Sequence, residues 1–214
     1  MEILAPLARF FHAGGLFMYP IALVLGCVVA VAIERLLFLL RTQRQNRRLW
    51  SELSPLLAQG DLAAAELLTE GSDAAVAKII ANGLAQSRID SRRSEIEIAT
   101  EEGLMEVLPA IERRTHYLAT FSNMSTLLGL LGTVLGLIGA FAALGSADPA
   151  QKADLLSAGI SEAMNCTAFG LMVAIPSLLL HSWLQSRTGE LVDSLESVCA
   201  RFVSSICNPT RALR

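Results

Sequence analysis

One carboxyl and two hydroxyls could do chemistry in an otherwise apolar setting: Glu162, Thr167 and Thr133. From Glu162 to Arg187 the chain runs AMNCTAFGLMVAIPSLLLHSWLQS, 24 residues without a charge. Removing a carboxyl from water disfavours its charged form. An acid at the edge of, or inside, a bilayer is therefore expected to have a function. Thr167 lies about one and a half turns deeper on the same segment, and Thr133 lies mid-way along another apolar segment. Threonine hydroxyls can hydrogen-bond a carboxylic acid without carrying charge, so this triplet suits proton passage. The alternative for Thr133, a hydroxyl bonded back to its own helix, stays open. No second acid lies in these segments. Glu34 stands beside Arg35 at the end of the first apolar run and is read as an interfacial ion pair. A proton relay here would need an acid from a different chain.

These residues need helices that approach closely. Gly129, Gly132, Gly136 and Gly139 recur at spacings of three, four and three, which places them on one stripe. Small stripes let membrane helices pack backbone to backbone. Gly159, Ala163, Thr167, Gly170 and Ala174 form a second small face, with Glu162 beside it. Pro176 removes one helical hydrogen bond and is expected to bend that helix. Several copies packed around an axis would enclose a narrow pore lined by threonines.

The 214 residues are 53% hydrophobic, and three segments lack charge: 10–33, 115–147 and 163–186. Each exceeds the ~20 residues that span a ~30 Å hydrocarbon core. The first is not read as a cleaved signal peptide. Glu2 and Arg9 cancel before it, and Glu34-Arg35-Leu36-Leu37 follows it. The fold expected is an all-α membrane protein with three transmembrane helices and long cytoplasmic helical extensions.

Residues 41–114 hold ten Lys and Arg, and the tail after the third span holds four; the opposite side holds only Arg9 and Lys152. By the positive-inside rule the N-terminus is outside and the C-terminus cytoplasmic. The expected organisation is an outer-surface amphipathic helix over 1–13, spans at 14–39, 119–144 and 159–185, a cytoplasmic helical region at 40–118, a periplasmic loop at 145–158 and a cytoplasmic tail helix at 186–214. Gly60-Asp61 and Ser72-Asp73 read as helix boundaries, and Asp90 or Ser91 starts the next helix. Read without a break from Ser91 to Leu144, that helix would be ~80 Å long at 1.5 Å per residue. Asp148-Pro149 reads as the start of the last helix. Cys27, Cys166, Cys199 and Cys207 lack metal-ligand spacing and read as small apolar fillers. No basic groove with aromatics suggests nucleic acid. No nucleophile–base pair, phosphate loop or metal cluster suggests an enzyme, so no cofactor is expected.

The runs LGLLGTVLGLIGAF (128–141) and GISEAMNCTAFGLMVAIP (159–176) resemble the ExbB/TolQ/MotA proton-channel family, as do GGLFMYPI and AIERLLFL around the first span. Three spans place the resemblance on the ExbB/TolQ side. It implies a homopentamer around two copies of a single-span ExbD/TolR-like partner whose membrane aspartate carries the proton. By motif, the pore threonines are then Thr133 and Thr167, and the family glutamate is Glu162. The function implied is the stator channel of a motor driven by the proton motive force in the bacterial inner membrane. It would power an envelope-spanning transducer for outer-membrane transport, envelope maintenance or gliding. Two positions depart from the pattern: Thr126 replaces a proline, and His181-Ser182 replaces Tyr-Asn. His181 could titrate near the cytoplasmic exit or sit at the interface without a proton role. A non-conducting membrane scaffold is the alternative. A secondary transporter is disfavoured by three spans without an inverted repeat.

Overall fold

The structure is a computed structural model that describes residues 11, 14–145 and 148–207. The helix expected over 1–13 otherwise lies outside the described residues. Among the described residues six helices follow in order: α1 (Met18–Gln59), α2 (Leu62–Glu70), α3 (Ala75–Ile89), α4 (Arg93–Glu112), α5 (Tyr117–Leu144) and α6 (Lys152–Cys207). The fold is all-helical among the described residues, with three helical stretches long and apolar enough to cross a membrane: Met18–Gln59, Arg93–Leu144 and Lys152–Cys207.

The chain divides into two compact units, Met1–Ile33 with Arg114–Trp183, and Glu34–Arg113 with Leu184–Arg214. Helices α1 and α6 contribute to both. The first unit has a small core of Met18, Ile21, Cys166, Phe169 and Val173. Phe11 meets Phe169 edge-on at 5.1 Å between ring centroids. The outside of this unit is also apolar: Leu127, Leu130, Ile138 and Phe141 of α5 and Leu178 and Leu179 of α6 are all exposed. Water would not tolerate so much contiguous apolar surface, and lipid or further protein would.

The second unit resembles an ordinary soluble helical core. Leu49, Leu53 and Leu57 of α1 are buried at helical spacing, as are Ile79 and Ile80 of α3, Ile96 of α4 and Leu191, Leu195 and Phe202 of α6. Gly60 takes φ 76° and reverses the chain after α1. Asp61 then caps α2 by accepting from the Ala64 amide at 3.0 Å. The boundary at Ser72 is kept, with the Ala74 amide donating to its hydroxyl oxygen. Asp90 accepts from the Arg92 amide at 2.9 Å, just ahead of α4.

Two expectations are corrected. The helix from Ser91 to Leu144 is not continuous. It breaks between Glu112 and Tyr117, where Arg114 adopts a left-handed φ of 69°. In the second unit the buried Arg35 guanidinium, 4.8 Å from the Phe38 ring, donates to the Ile111 carbonyl in the last turn of α4. That cation satisfies a carbonyl at the negative end of the helix dipole. The last helix also starts later than Asp148-Pro149. The Gln151 amide closes a turn onto the Asp148 carbonyl at 2.9 Å, and α6 begins at Lys152. From there α6 runs unbroken through Pro176 to Cys207.

Cys199 is buried in the second unit, and burial pushes its thiol up to about 11, with the Glu196 and Glu101 carboxylates acting in the same direction. The thiolate is the reactive form. Maleimide at neutral pH should therefore label the half-buried Cys207 at least ten times faster than Cys199, as read by peptide mass spectrometry. Equal rates would contradict this burial.

Candidate functional site: the α5–α6 seam

Close approach of α5 and α6 rests on residues without side chains. A Cβ built on Gly129 would lie 3.2 Å from the Thr167 Cα and 3.4 Å from the Gly170 Cα. On Gly170 it would lie 2.6 Å from the Ser125 carbonyl oxygen, and on Gly136 3.1 Å from the Ala163 Cβ. On Gly132 it would collide with the Cys166 sulfur. Gly139, expected in the same stripe, has nothing within 4 Å. The reason is angular. Ten residues at 100° each bring Gly139 about 80° round from Gly129, whereas Ala140 returns to within about 20°. The fourth small contact is accordingly Ala140 against Gly159.

These distances make Gly170 and Gly139 a matched pair. Gly170→Ala should force the helices apart and cost about 1–3 kcal/mol, as overpacking does. Gly139→Ala should stay within about 0.5 kcal/mol. Thermal unfolding of the purified protein in detergent measures both, and equal shifts would count against this seam.

Two hydroxyl bonds cross the seam in opposite directions. Thr167 Oγ1 of α6 donates to the Gly129 carbonyl at 2.9 Å, and Ser122 Oγ of α5 donates to the Ala174 carbonyl at 2.7 Å. Ser122 is buried, and its partner lies two residues before Pro176. Ser177 Oγ donates to the Val173 carbonyl at 2.6 Å. Hydroxyls thus bond two successive carbonyls, of Val173 and Ala174, in the turn before the proline.

Thr133 Oγ1 donates at 2.6 Å to the Leu130 carbonyl of its own helix. Gly129 is one turn before Thr133, so Thr167 reaches α5 within a turn of the second threonine. Both hydroxyls donate their proton to a carbonyl. What remains to offer is a lone pair, which can accept from a protonated carboxylic acid.

Glu162 sits apart from this pair. Five residues of helix separate it from Thr167 by about 7.5 Å along the axis and about 140° around it. Its side chain lies against the Gly15 backbone. A Cβ on Gly15, whose φ is 72°, would fall on Glu162 Oε1. Leu16, Phe17, Gly136, Leu155 and Cys166 help line the same cavity, of about 380 Å³. The structure therefore brings Thr167 to Gly129 and Glu162 to Gly15, in separate places.

Sequence reasoning missed Ser122, Gly15, Ala140 and the role of His181. Serine in an apolar helix carries no signal of which carbonyl it will reach. His181 Nδ1 lies 3.0 Å from the Thr115 carbonyl oxygen. A carbonyl only accepts, so Nδ1 carries a proton and Nε2 points elsewhere. His181 thereby ties α6 to the chain just before α5.

Residues 71–197 match the model of the MotA/TolQ/ExbB proton channel family. An ExbB-like biopolymer transport protein of Synechocystis is 31% identical over 175 residues, 81% of this chain and 82% of its own length. The biopolymer transport protein ExbB of Salmonella typhimurium is 29% identical over 196 residues, 83% of this chain and 77% of its own length. The Tol-Pal system protein TolQ of Haemophilus influenzae is 35% identical over 96 residues, 45% of this chain and 40% of its own length. Among solved structures, that of C. jejuni MotAB superposes with a TM-score of 0.66 at 20% identity, covering 99% of this chain and 86% of that one. At that identity the likeness is one of fold.

Proposed function

Since the chain belongs to the MotA/TolQ/ExbB proton channel family, we propose that it is the channel-forming stator subunit of a proton-driven motor in the bacterial inner membrane. The observation that carries this reading is the α5–α6 seam, where Thr167 reaches across to the turn of Thr133. Five copies would surround two copies of a single-span ExbD/TolR-like partner. The membrane aspartate of that partner would exchange its proton beside Thr133 and Thr167. Because both hydroxyls face a visitor with lone pairs, they favour the neutral acid over the carboxylate. Proton passage releases about 2.3 kcal/mol per charge per 100 mV. That energy would turn one component against the other and be passed to an envelope-spanning transducer.

In this reading residues 14–39, 119–144 and 159–185 cross the bilayer, with the N-terminus periplasmic and the C-terminus cytoplasmic. Residues 40–118 and 186–214 form the cytoplasmic region, and 145–158 the periplasmic loop. The exposed leucines of α5 and α6 would meet lipid or neighbouring copies. The role is one of transport and is not enzymatic.

The test is reconstitution. The chain, co-purified with a single-span ExbD/TolR-like partner, is placed in liposomes under a membrane potential. Internal pH reports flux, and native mass spectrometry reports stoichiometry. Flux that depends on the partner's aspartate supports the channel. Assembly with no flux under any potential would leave a non-conducting scaffold.

A further inference from the structure

Away from the seam, the second unit holds a cavity of about 250 Å³ whose lining includes Asn46, Arg47 and Trp50 of α1, Val76 of α3, and Ser197 and Arg201 of α6. Two guanidinium groups stand on this lining, and no acid does. Asn46 forms the floor and is only 5% exposed. Its Oδ1 accepts from the Val76 amide at 3.3 Å. That bond fixes which arm of the amide is oxygen, so the other arm is the Nδ2 donor. Nδ2 is buried and has no hydrogen-bond partner. An unsatisfied buried donor calls for an explanation, and an unfilled ligand position is one.

The same floor is the start of α3, a fifteen-residue helix with no side-chain cap on Ala74 and no acid in its first turn. A helix N-terminus of this kind favours negative charge. Donors therefore come from two helices: a guanidinium from α1 and another from α6, an amide from α1 and a hydroxyl from α6. A tetrahedral anion whose oxygens all accept suits them, and arginine pairs well with such groups.

We propose that this cavity binds a phosphate group. The proposal is independent of proton conduction and of the seam. The phosphate could belong to a lipid headgroup or to a soluble phosphate compound, which share this chemistry.

Asn46→Asp separates ligand binding from structure. Aspartate keeps the oxygen that accepts from Val76, so the helix start survives. It replaces the free donor with a negative acceptor, which repels phosphate. Arg201→Gln is a second variant, at an exposed position where folding is not at stake. The full-length assembly, delipidated in a maltoside detergent, is titrated with inorganic phosphate by calorimetry. Saturable binding is expected in the wild type and at least tenfold weaker binding in each variant, at unchanged thermal midpoints. The titration is then repeated in nanodiscs. Binding that persists in phosphatidylglycerol discs assigns the site to soluble phosphates. Binding lost in phosphatidylglycerol discs, whether kept or lost in phosphatidylcholine discs whose headgroup also carries a phosphate, assigns it to a lipid headgroup. No saturable binding to the delipidated wild type, or undiminished binding by Asn46→Asp, overturns the proposal.

Discussion

Thr167→Ala is expected to lower both stability and proton-driven work, whereas Thr133→Ala lowers work alone. The difference follows from where each hydroxyl donates. Thr167 reaches across to the Gly129 carbonyl, and Thr133 bonds back to Leu130 on its own helix. Removing the Thr167 hydroxyl deletes an interhelical bond at a seam already crowded to backbone contact, a loss of about 0.5–1.5 kcal/mol. Removing the Thr133 hydroxyl leaves a methyl on a half-buried position and no packing defect. Both lose the lone pair offered to a protonated acid, so proton flux should fall at least tenfold in each, about 1.4 kcal/mol in the barrier. Serine at either position keeps the oxygen and should restore most of the flux. The measurements are thermal unfolding in detergent and flux in liposomes with the partner present. Full flux in the double alanine variant would remove both threonines from the proton path.

The sequence disclosed the helices wherever local chemistry decides them. Gly60 and Asp61 end one helix and begin the next because only glycine takes φ 76° freely, and aspartate caps from its side chain. The break before α5 escaped notice because its left-handed residue is Arg114, a type that gives no local warning. What favours a break there is tertiary. Arg35 takes the Ile111 carbonyl within the second unit, and His181 takes that of Thr115 within the first.

The seam was legible as a glycine stripe because small residues at helical spacing announce close packing. Its far end was misplaced because Gly139 is the more conspicuous residue, while the angular drift of the helix brings Ala140 to the contact. The hydroxyl bonds of Ser122 and Thr167 depend on the relative rotation of two helices, which spacing within one helix does not report. The same holds for the cavity over Asn46, whose walls come from three helices.

Glu162→Gln should preserve assembly and reduce proton-driven work, and Glu162→Ala should impair both. The carboxyl lies against Gly15 in a cavity lined mainly by small and apolar residues. Glutamine has the same shape, so it keeps these contacts and removes only the ability to ionise. Alanine removes the whole side chain beside Gly15, and with it both that contact and the carboxyl. An independent route to the same defect is Gly15→Ala. Its Cβ would occupy the place of Glu162 Oε1, and a φ of 72° adds about 1–2 kcal/mol for any residue with a Cβ. Gly15→Ala should therefore reproduce Glu162→Ala although it removes no functional group. Native mass spectrometry reads assembly, and liposomes containing the chain with its partner read flux. In the proposed channel, the carboxyl's position well away from Thr167 would suit a group that tunes entry to the path and leaves the carrying to a partner's aspartate. If Glu162→Gln conducts and drives work as the wild type does, the charge-bearing role fails and Glu162 is a packing residue.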